Sequence, residues 1–374
     1  MFSNSSYKLA IFAILIFLCF VYSCGETSSG KPVYMAFDHI EYVSDYPATF
    51  TIKDRKIPDI NIIGIRNFVI YDSIMILSTS NPEGIWSIIS LPDLQILRSF
   101  FKRGEGPLEF MQGPSAEGKT KIVREKGQLL AYIYDFQKGK LKKLDIGQTV
   151  ASGELYLSLM EADLPPFLSN FIMVDSSTFF IKEIENRDKQ QNRYLLKSGE
   201  KIELPILEKL NQATLSEGAD FNILATNTRY NDVNKKFVEA PTGLNYINLY
   251  SLDSSIAKTI GIGDKLTDIA MVEKEWPQWN RKYVFLNIKA FDDFFGVIYV
   301  NESFKDYEVE RKRLPSILLF DWAGTPIAEL KMDNHFTHFD IDFINQDLYT
   351  FDTHSDEFLK FHVSDILIGL NISK

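Results

Sequence analysis

Short apolar runs alternate with polar turn signals along most of the chain. Phe68-Val69-Ile70-Tyr71 leads through Asp72-Ser73 to Ile74-Met75-Ile76-Leu77, and Ile85-Trp86-Ser87-Ile88-Ile89 leads through Leu91-Pro92-Asp93 to Leu94-Gln95-Ile96-Leu97. Runs of about 4–8 residues, rich in Ile, Val, Phe and Tyr and bounded by Asp, Ser, Gly and Pro, predict strands. Helical periodicity is nearly absent. Its best candidate is the stretch 205–215, expected as an excursion from a loop.

One unit recurs: an apolar strand, a polar turn opened by Asp, and a second strand. It appears at Tyr132-Ile133-Tyr134-Asp135, Leu249-Tyr250-Ser251-Leu252-Asp253, Leu318-Leu319-Phe320-Asp321 and Tyr349-Thr350-Phe351-Asp352, with weaker copies turning at Asp93 and at Ser198-Gly199. Asp suits such turns because its carboxylate binds nearby backbone amides, and Gly because it accepts positive φ. The six turns lie about 52 residues apart on average, near the ~40–50-residue period of known propeller repeats. A four-stranded blade buries both faces only by stacking on others around an axis. The spacing therefore predicts an all-β, six-bladed β-propeller over residues 45–374. A pair of β-sandwiches is the alternative.

The N-terminus breaks this pattern. Lys8 precedes the apolar run from Leu9 to Phe20, followed by Val21-Tyr22-Ser23-Cys24-Gly25. The run has the size of a signal-peptide core and is short for a membrane span. A small residue directly before Cys24 resembles a bacterial lipoprotein lipobox. The resemblance implies a signal peptide over 1–23, cleavage before Cys24, and lipidation of Cys24. Several acyl chains give stable anchoring where one does not. Residues 24–44 are then the lipidated cysteine and a flexible tether.

Composition narrows the function classes. The chain of 374 residues holds 2 Cys, of which Cys19 lies in the signal and Cys24 is the acylated one, so neither a disulfide framework nor a cysteine zinc module is expected. A formal charge of -10 argues against a nucleic-acid partner. No nucleophile elbow, HExxH, phosphate-binding loop or dinucleotide fingerprint occurs.

Gly104-Glu105-Gly106-Pro107-Leu108-Glu109-Phe110 resembles the G-x-G-P-x-E-F signature of TolB-like six-bladed β-propeller lipoproteins of Bacteroidetes. Lys236-Phe237-Val238-Glu239-Ala240 is similar to that family's middle blade. Leu319-Phe320-Asp321-Trp322-Ala323-Gly324-Thr325-Pro326 resembles its F-D-W-x-G-x-P turn, and Phe339-Asp340-Ile341-Asp342 with Leu348-Tyr349 fits its closing segment. The resemblance spans about residues 45–365, implies the propeller fold, and brings no established catalytic residues.

Three places carry candidate chemistry. The 104–110 loop, with a charged residue at each end, Arg103 and Glu109, is either an anion-binding nest of backbone amides or a connection between blades plugged by Phe110. Trp276, Trp279 and Arg281 form either a stacking platform for a sugar or peptide, or a lid on the core. His338, Asp340 and Asp342 share one face if residues 338–342 are a strand, a geometry that suits a divalent cation as well as an ordinary half-exposed strand. His39 and His362 stand alone and are expected to be structural. The leading expectation is a membrane-anchored cell-envelope lipoprotein, at the periplasmic face or the cell surface. Its propeller would bind a carbohydrate or peptide ligand, or an envelope protein. The alternative is a propeller enzyme of the glycoside hydrolase, lyase or lactonase type, metal-dependent if the cation site is real. An enzyme should place carboxylates or a metal in the central channel.

Overall fold

The alternating runs pair into six sheets. The computed structural model describes residues 33–162, 164–185, 190–276 and 281–372. Two strands come first, β1 (Ile40–Val43) and β2 (Thr49–Ile52). Blade 1 is β3 (Ile65–Tyr71), β4 (Ile74–Thr79), β5 (Trp86–Ser90) and β6 (Ile96–Phe100). Blade 2 is β7 (Thr120–Glu125), β8 (Gln128–Asp135), β9 (Lys140–Asp145) and β10 (Leu157–Met160). Blade 3 is β11 (Asn170–Met173), β12 (Thr178–Glu185), β13 (Gln190–Lys197) and β14 (Glu200–Ile202). Blade 4 is β15 (Thr226–Asn231), β16 (Lys236–Pro241), β17 (Tyr246–Ser251) and β18 (Ala257–Ile262). Blade 5 is β19 (Lys282–Ala290), β20 (Phe294–Ser303), β21 (Ser316–Asp321) and β22 (Pro326–Met332). Blade 6 has β23 (His338–Asp342), β24 (Asp347–Asp352) and β25 (Glu357–His362). The result is a six-bladed β-propeller, with each blade an antiparallel meander.

Each of the six repeat turns falls in a different blade. Four join the third and fourth strands, while those of blades 2 and 6 join the second and third. The acidic turn residues act as expected: Asp321 Oδ1 accepts from the amides of Ala323 (2.9 Å) and Thr325 (2.7 Å), and Asp253 Oδ1 from that of Ser255 (3.0 Å). The 205–215 stretch forms the helix Pro205–Asn211 between blades 3 and 4, with Leu207 and Leu210 buried.

There is no single core. Six apolar clusters lie between successive blades, as a flat sheet buried on both faces requires. The last of them closes the ring: Ile65, Phe68 and Met75 of blade 1 pack on Tyr349, Phe351 and Phe358 of blade 6. Among the described residues no strand is shared between these two blades.

Instead the first strands brace the outside. β1 adds parallel to the outer edge of blade 4, with Ile40 opposite Thr259 and Val43 opposite Ile262. β2 adds parallel to the outer edge of blade 5, with Thr49 opposite Glu329. Lys56 then bridges Lys360 on the outer strand of blade 6 through two backbone bonds, 2.8 and 2.9 Å long. The segment is thus a belt over three consecutive blade edges.

This corrects the expected extent of the tether. Residues 24–44 were predicted to be flexible, but within the described residues the chain packs from Val33 onward. Met35, Ala36 and Phe37 are buried in the cluster between blades 3 and 4. The Met35 amide donates to Tyr246 Oη (3.0 Å), the Phe37 amide to Thr259 Oγ1 (2.8 Å), and Asn248 Nδ2 to the Met35 carbonyl (2.9 Å). Apolar side chains on a stretch that reads as polar linker account for the difference: Val33, Met35 and Phe37 have an interface to enter.

Candidate functional site

The innermost strands β3, β7, β11, β15, β19 and β23 surround a cavity of about 460 Å³, lined from all six blades. Asparagine recurs on them: Asn67 on β3, Asn170 on β11, Asn227 on β15 and Asn287 on β19 all line the cavity. The residues 115–119 before β7 add Glu117 and Lys119, and β23 contributes His338.

Charges at one side of the wall are tightly coupled. Lys289 Nζ lies 2.9 Å from both Glu117 Oε1 and Asp340 Oδ2. Arg229 and His338 approach the Glu117 carboxylate at 3.7 and 3.6 Å, and Asn287 Nδ2 donates to it at 2.9 Å. Burial pushes the Glu117 carboxyl up, but Lys289, His338 and Arg229 outweigh it and hold it at about 2. Burial lowers the His338 pKa despite the neighbouring Glu117. For Asp340 burial prevails over Lys289, and its pKa is raised.

Two further lysines face the same space. Lys121 Nζ pairs with Asp232 Oδ1 (2.8 Å) and donates to the carbonyls of Met173 (3.3 Å) and Val174 (3.2 Å). Lys119 sits at φ +63°, with Nζ 4.0 Å from the centroid of the Phe136 ring. Burial lowers its pKa to about 8. Behind the wall, Glu239 binds Arg193 through Nε (3.0 Å) and Nη2. Lys182 lies 3.9 Å from the same carboxylate and donates to Thr228 Oγ1 (2.7 Å). Burial drives Lys182 down to about 7, against the pull of Glu239.

Of the residues singled out from sequence, the cavity takes one, His338. Its two companions on β23 turn to different tasks. Asp340 accepts from Lys289 and from the Ile70 amide (2.9 Å), which ties blade 6 to blade 1. Asp342 closes the following turn, accepting from the amides of Ile344 and Asn345 at 3.0 Å each. Among the described residues no group of three His, Cys, Asp or Glu is placed to hold a metal ion. The shared face predicted for the trio is occupied by a lysine ammonium and by backbone amides.

Three amides of the 104–110 loop are spent within it. Gly106 N–H donates to Glu109 Oε2 (2.9 Å), the Glu109 amide to the Gly106 carbonyl (3.1 Å), and the Gly104 amide to that of Phe110 (3.1 Å). Lys138 and Lys142 donate to the Glu109 carbonyl at 2.9 and 2.7 Å, and Phe110 is fully buried beneath the Lys142 ammonium. Arg103 is exposed and bridges Phe110 through its backbone. The loop connects blades 1 and 2, and the amides of Gly104, Gly106 and Glu109 are engaged within it.

Trp276 also packs inward. Its indole N–H donates to Asp220 Oδ2 (2.9 Å), and Arg281 lies 5.4 Å from its ring and 4.4 Å from that of Phe304. A face already covered by a guanidinium offers little for a ligand to stack on. Trp279 and Cys24 lie outside the described residues.

Sequence reasoning missed Glu117, Lys119, Lys121, Arg229 and the asparagine set. The available signal was asparagine and arginine within short strands, as in Thr226-Asn227-Thr228-Arg229 before Tyr230. A polar side chain at a strand position that repeats from blade to blade points at a shared solvent-filled space.

A family model described as TolB-like 6-blade propeller-like matches residues 67–343. Solved structures similar to this chain include a calcium-binding protein, regucalcin, from Agrobacterium tumefaciens. It is 11% identical, with 84% of this chain and 95% of that one covered and a TM-score of 0.44. Another is a member of the DUF4221 family from Bacteroides vulgatus, 11% identical, with 85% and 96% covered and a TM-score of 0.49. No curated protein matches the chain.

Proposed function

The chain belongs to the TolB-like six-blade propeller family, and from that premise we propose that it is a lipid-anchored protein of the cell envelope whose propeller binds a small polar ligand in its axial cavity. The observation that carries the ligand site is the convergence of all six blades on one polar cavity of about 460 Å³. That volume lies within the ~300–1,000 Å³ usual for small-molecule sites. The anchor rests on the lipobox-like Ser23-Cys24 after an apolar run.

The rival reading, an envelope enzyme, draws on Glu117 and His338 facing the cavity together. A carboxylate held at about 2 is a weak base at neutral pH, and Asp340 is engaged by Lys289. The same groups serve well as fixed charges and hydrogen-bonding partners, which favours binding over catalysis.

Two measurements test the proposal. Wild-type protein is expected in the membrane fraction and the Cys24→Ala variant in the soluble fraction; membrane retention of the variant would remove the anchor. A thermal-shift screen of small polar metabolites should find ligands that raise Tm. Their effect should vanish when Asn170→Trp fills the cavity without lowering the unliganded Tm appreciably.

A further inference from the structure

We propose that the axial cavity takes a small hydroxylated carboxylate, an acidic sugar by chemical class, with Lys119 receiving the carboxylate and the side-chain carbonyls of Asn67 and Asn170 accepting its hydroxyls. This deepens the reading of the cavity as a ligand site and rests on it.

The charge comes from pairing off the wall. Glu117 and Asp340 are matched by Lys289 and Arg229, and Asp232 is matched by Lys121. Lys119 remains. Among the described residues no carboxylate pairs with it, and its ammonium rests on the Phe136 ring alone. A half-buried cation held only by a ring face gains from an anion brought to it, because the local dielectric is lower than in water.

The hydroxyls follow from two orphan acceptors. Asn67 Oδ1 and Asn170 Oδ1 are buried atoms with no hydrogen-bond partner among the described residues, and both residues line the cavity. A buried carbonyl left unpaired is costly, and a ligand hydroxyl relieves it. An ammonium on the ligand would face Lys119, Lys121 and Arg229 with no unmatched carboxylate to receive it. That disfavours amino acids and amino sugars. The volume suits one or two sugar rings, and Tyr230 at the wall offers an aromatic surface to the apolar face of such a ring.

Titration calorimetry of the full chain with glucuronate, galacturonate, glucose and glucosamine tests the assignment. At least one uronate should bind tenfold or more tighter than glucose, and glucosamine should give no heat. Lys119→Met should cost tenfold or more in uronate affinity and leave the glucose response unchanged, while Lys119→Arg should stay within a few-fold of wild type. Unchanged Tm in both variants shows that they fold. The assignment is overturned if neither uronate binds, if glucose binds as tightly, or if Lys119→Met binds uronate like wild type. Asn170→Trp separates the two claims. Sugar binding that survives this variant overturns the cavity reading itself. Glucose binding that the variant abolishes, with no preference for uronate, overturns only the ligand class.

Discussion

Glu117 shows how one residue can belong to both the ring and the cavity. Its carboxylate touches Lys289, Arg229 and His338, and side chains from blades 4, 5 and 6 meet there. Glu117→Gln keeps the shape but leaves Lys289 with Asp340 alone and takes from Arg229 its carboxylate neighbour. The expected loss is about 3 kcal/mol in urea unfolding at pH 7, the range for breaking a buried ion pair. The pH dependence has a definite sign. The ordinary value near 4.5 is depressed to about 2, so the stabilisation is complete above 4.5 and is lost as pH falls through about 2. The gap between wild type and Glu117→Gln should therefore close between about pH 4.5 and 2; a gap constant over that window would contradict the assignment. Nothing in the sequence pairs Glu117 with Lys289, because the two are 172 positions apart and the pairing exists only after the ring closes. His338 was legible because it sits in a dense polar run; Asn67, Asn170 and Asn227 were not, because only the closed ring, and not their neighbours in sequence, brings them to one cavity.

At the scale of elements, turns and strands were the most legible features, since hairpin chemistry is local. The 104–110 loop was recognised as a motif, yet its purpose depends on which groups its amides meet. The Glu109 carboxylate lies against Gly104, where an added Cβ would stand 2.0 Å from Oε2. Gly104→Ala should therefore displace that side chain and cost about 1 kcal/mol, roughly the value of the lost hydrogen bond. In a Glu109→Ala background the same substitution should be nearly neutral. Additive losses in this double-mutant cycle would show that Gly104 is required for another reason. The short apolar sequence around Met35 and Phe37 misled for a related cause: its strand partner is distant in sequence, so no local period reveals it.

At the largest scale the described residues from Val33 onward form a ring of six interfaces braced by a belt. Phe37→Ala removes a ring buried against Tyr250, with centroids 5.7 Å apart, and should cost about 3 kcal/mol in equilibrium unfolding. A loss below about 1 kcal/mol would show the belt to be ornamental. Removing residues 33–52 altogether should uncover the edges of β18 and β22 and promote self-association, read by gel filtration, since unpaired edges invite other strands. The count of six blades was readable from six turns, whereas the closure was not, because it lies in contacts between opposite ends of the chain. The belt also has a consequence in time. Phe37 and its partner Thr259 are 222 residues apart, so on a ribosome adding ~5–20 residues per second the first strand waits roughly 10–45 s for its partner to be made. We predict that the blades acquire amide protection first and the belt last. Pulse-labelled hydrogen exchange during refolding should then find the Gly263 amide, which donates to the Val43 carbonyl, protected later than the amides of β16 and β17. Earlier or simultaneous protection would mean that the first strand to be synthesised is a template rather than a clasp.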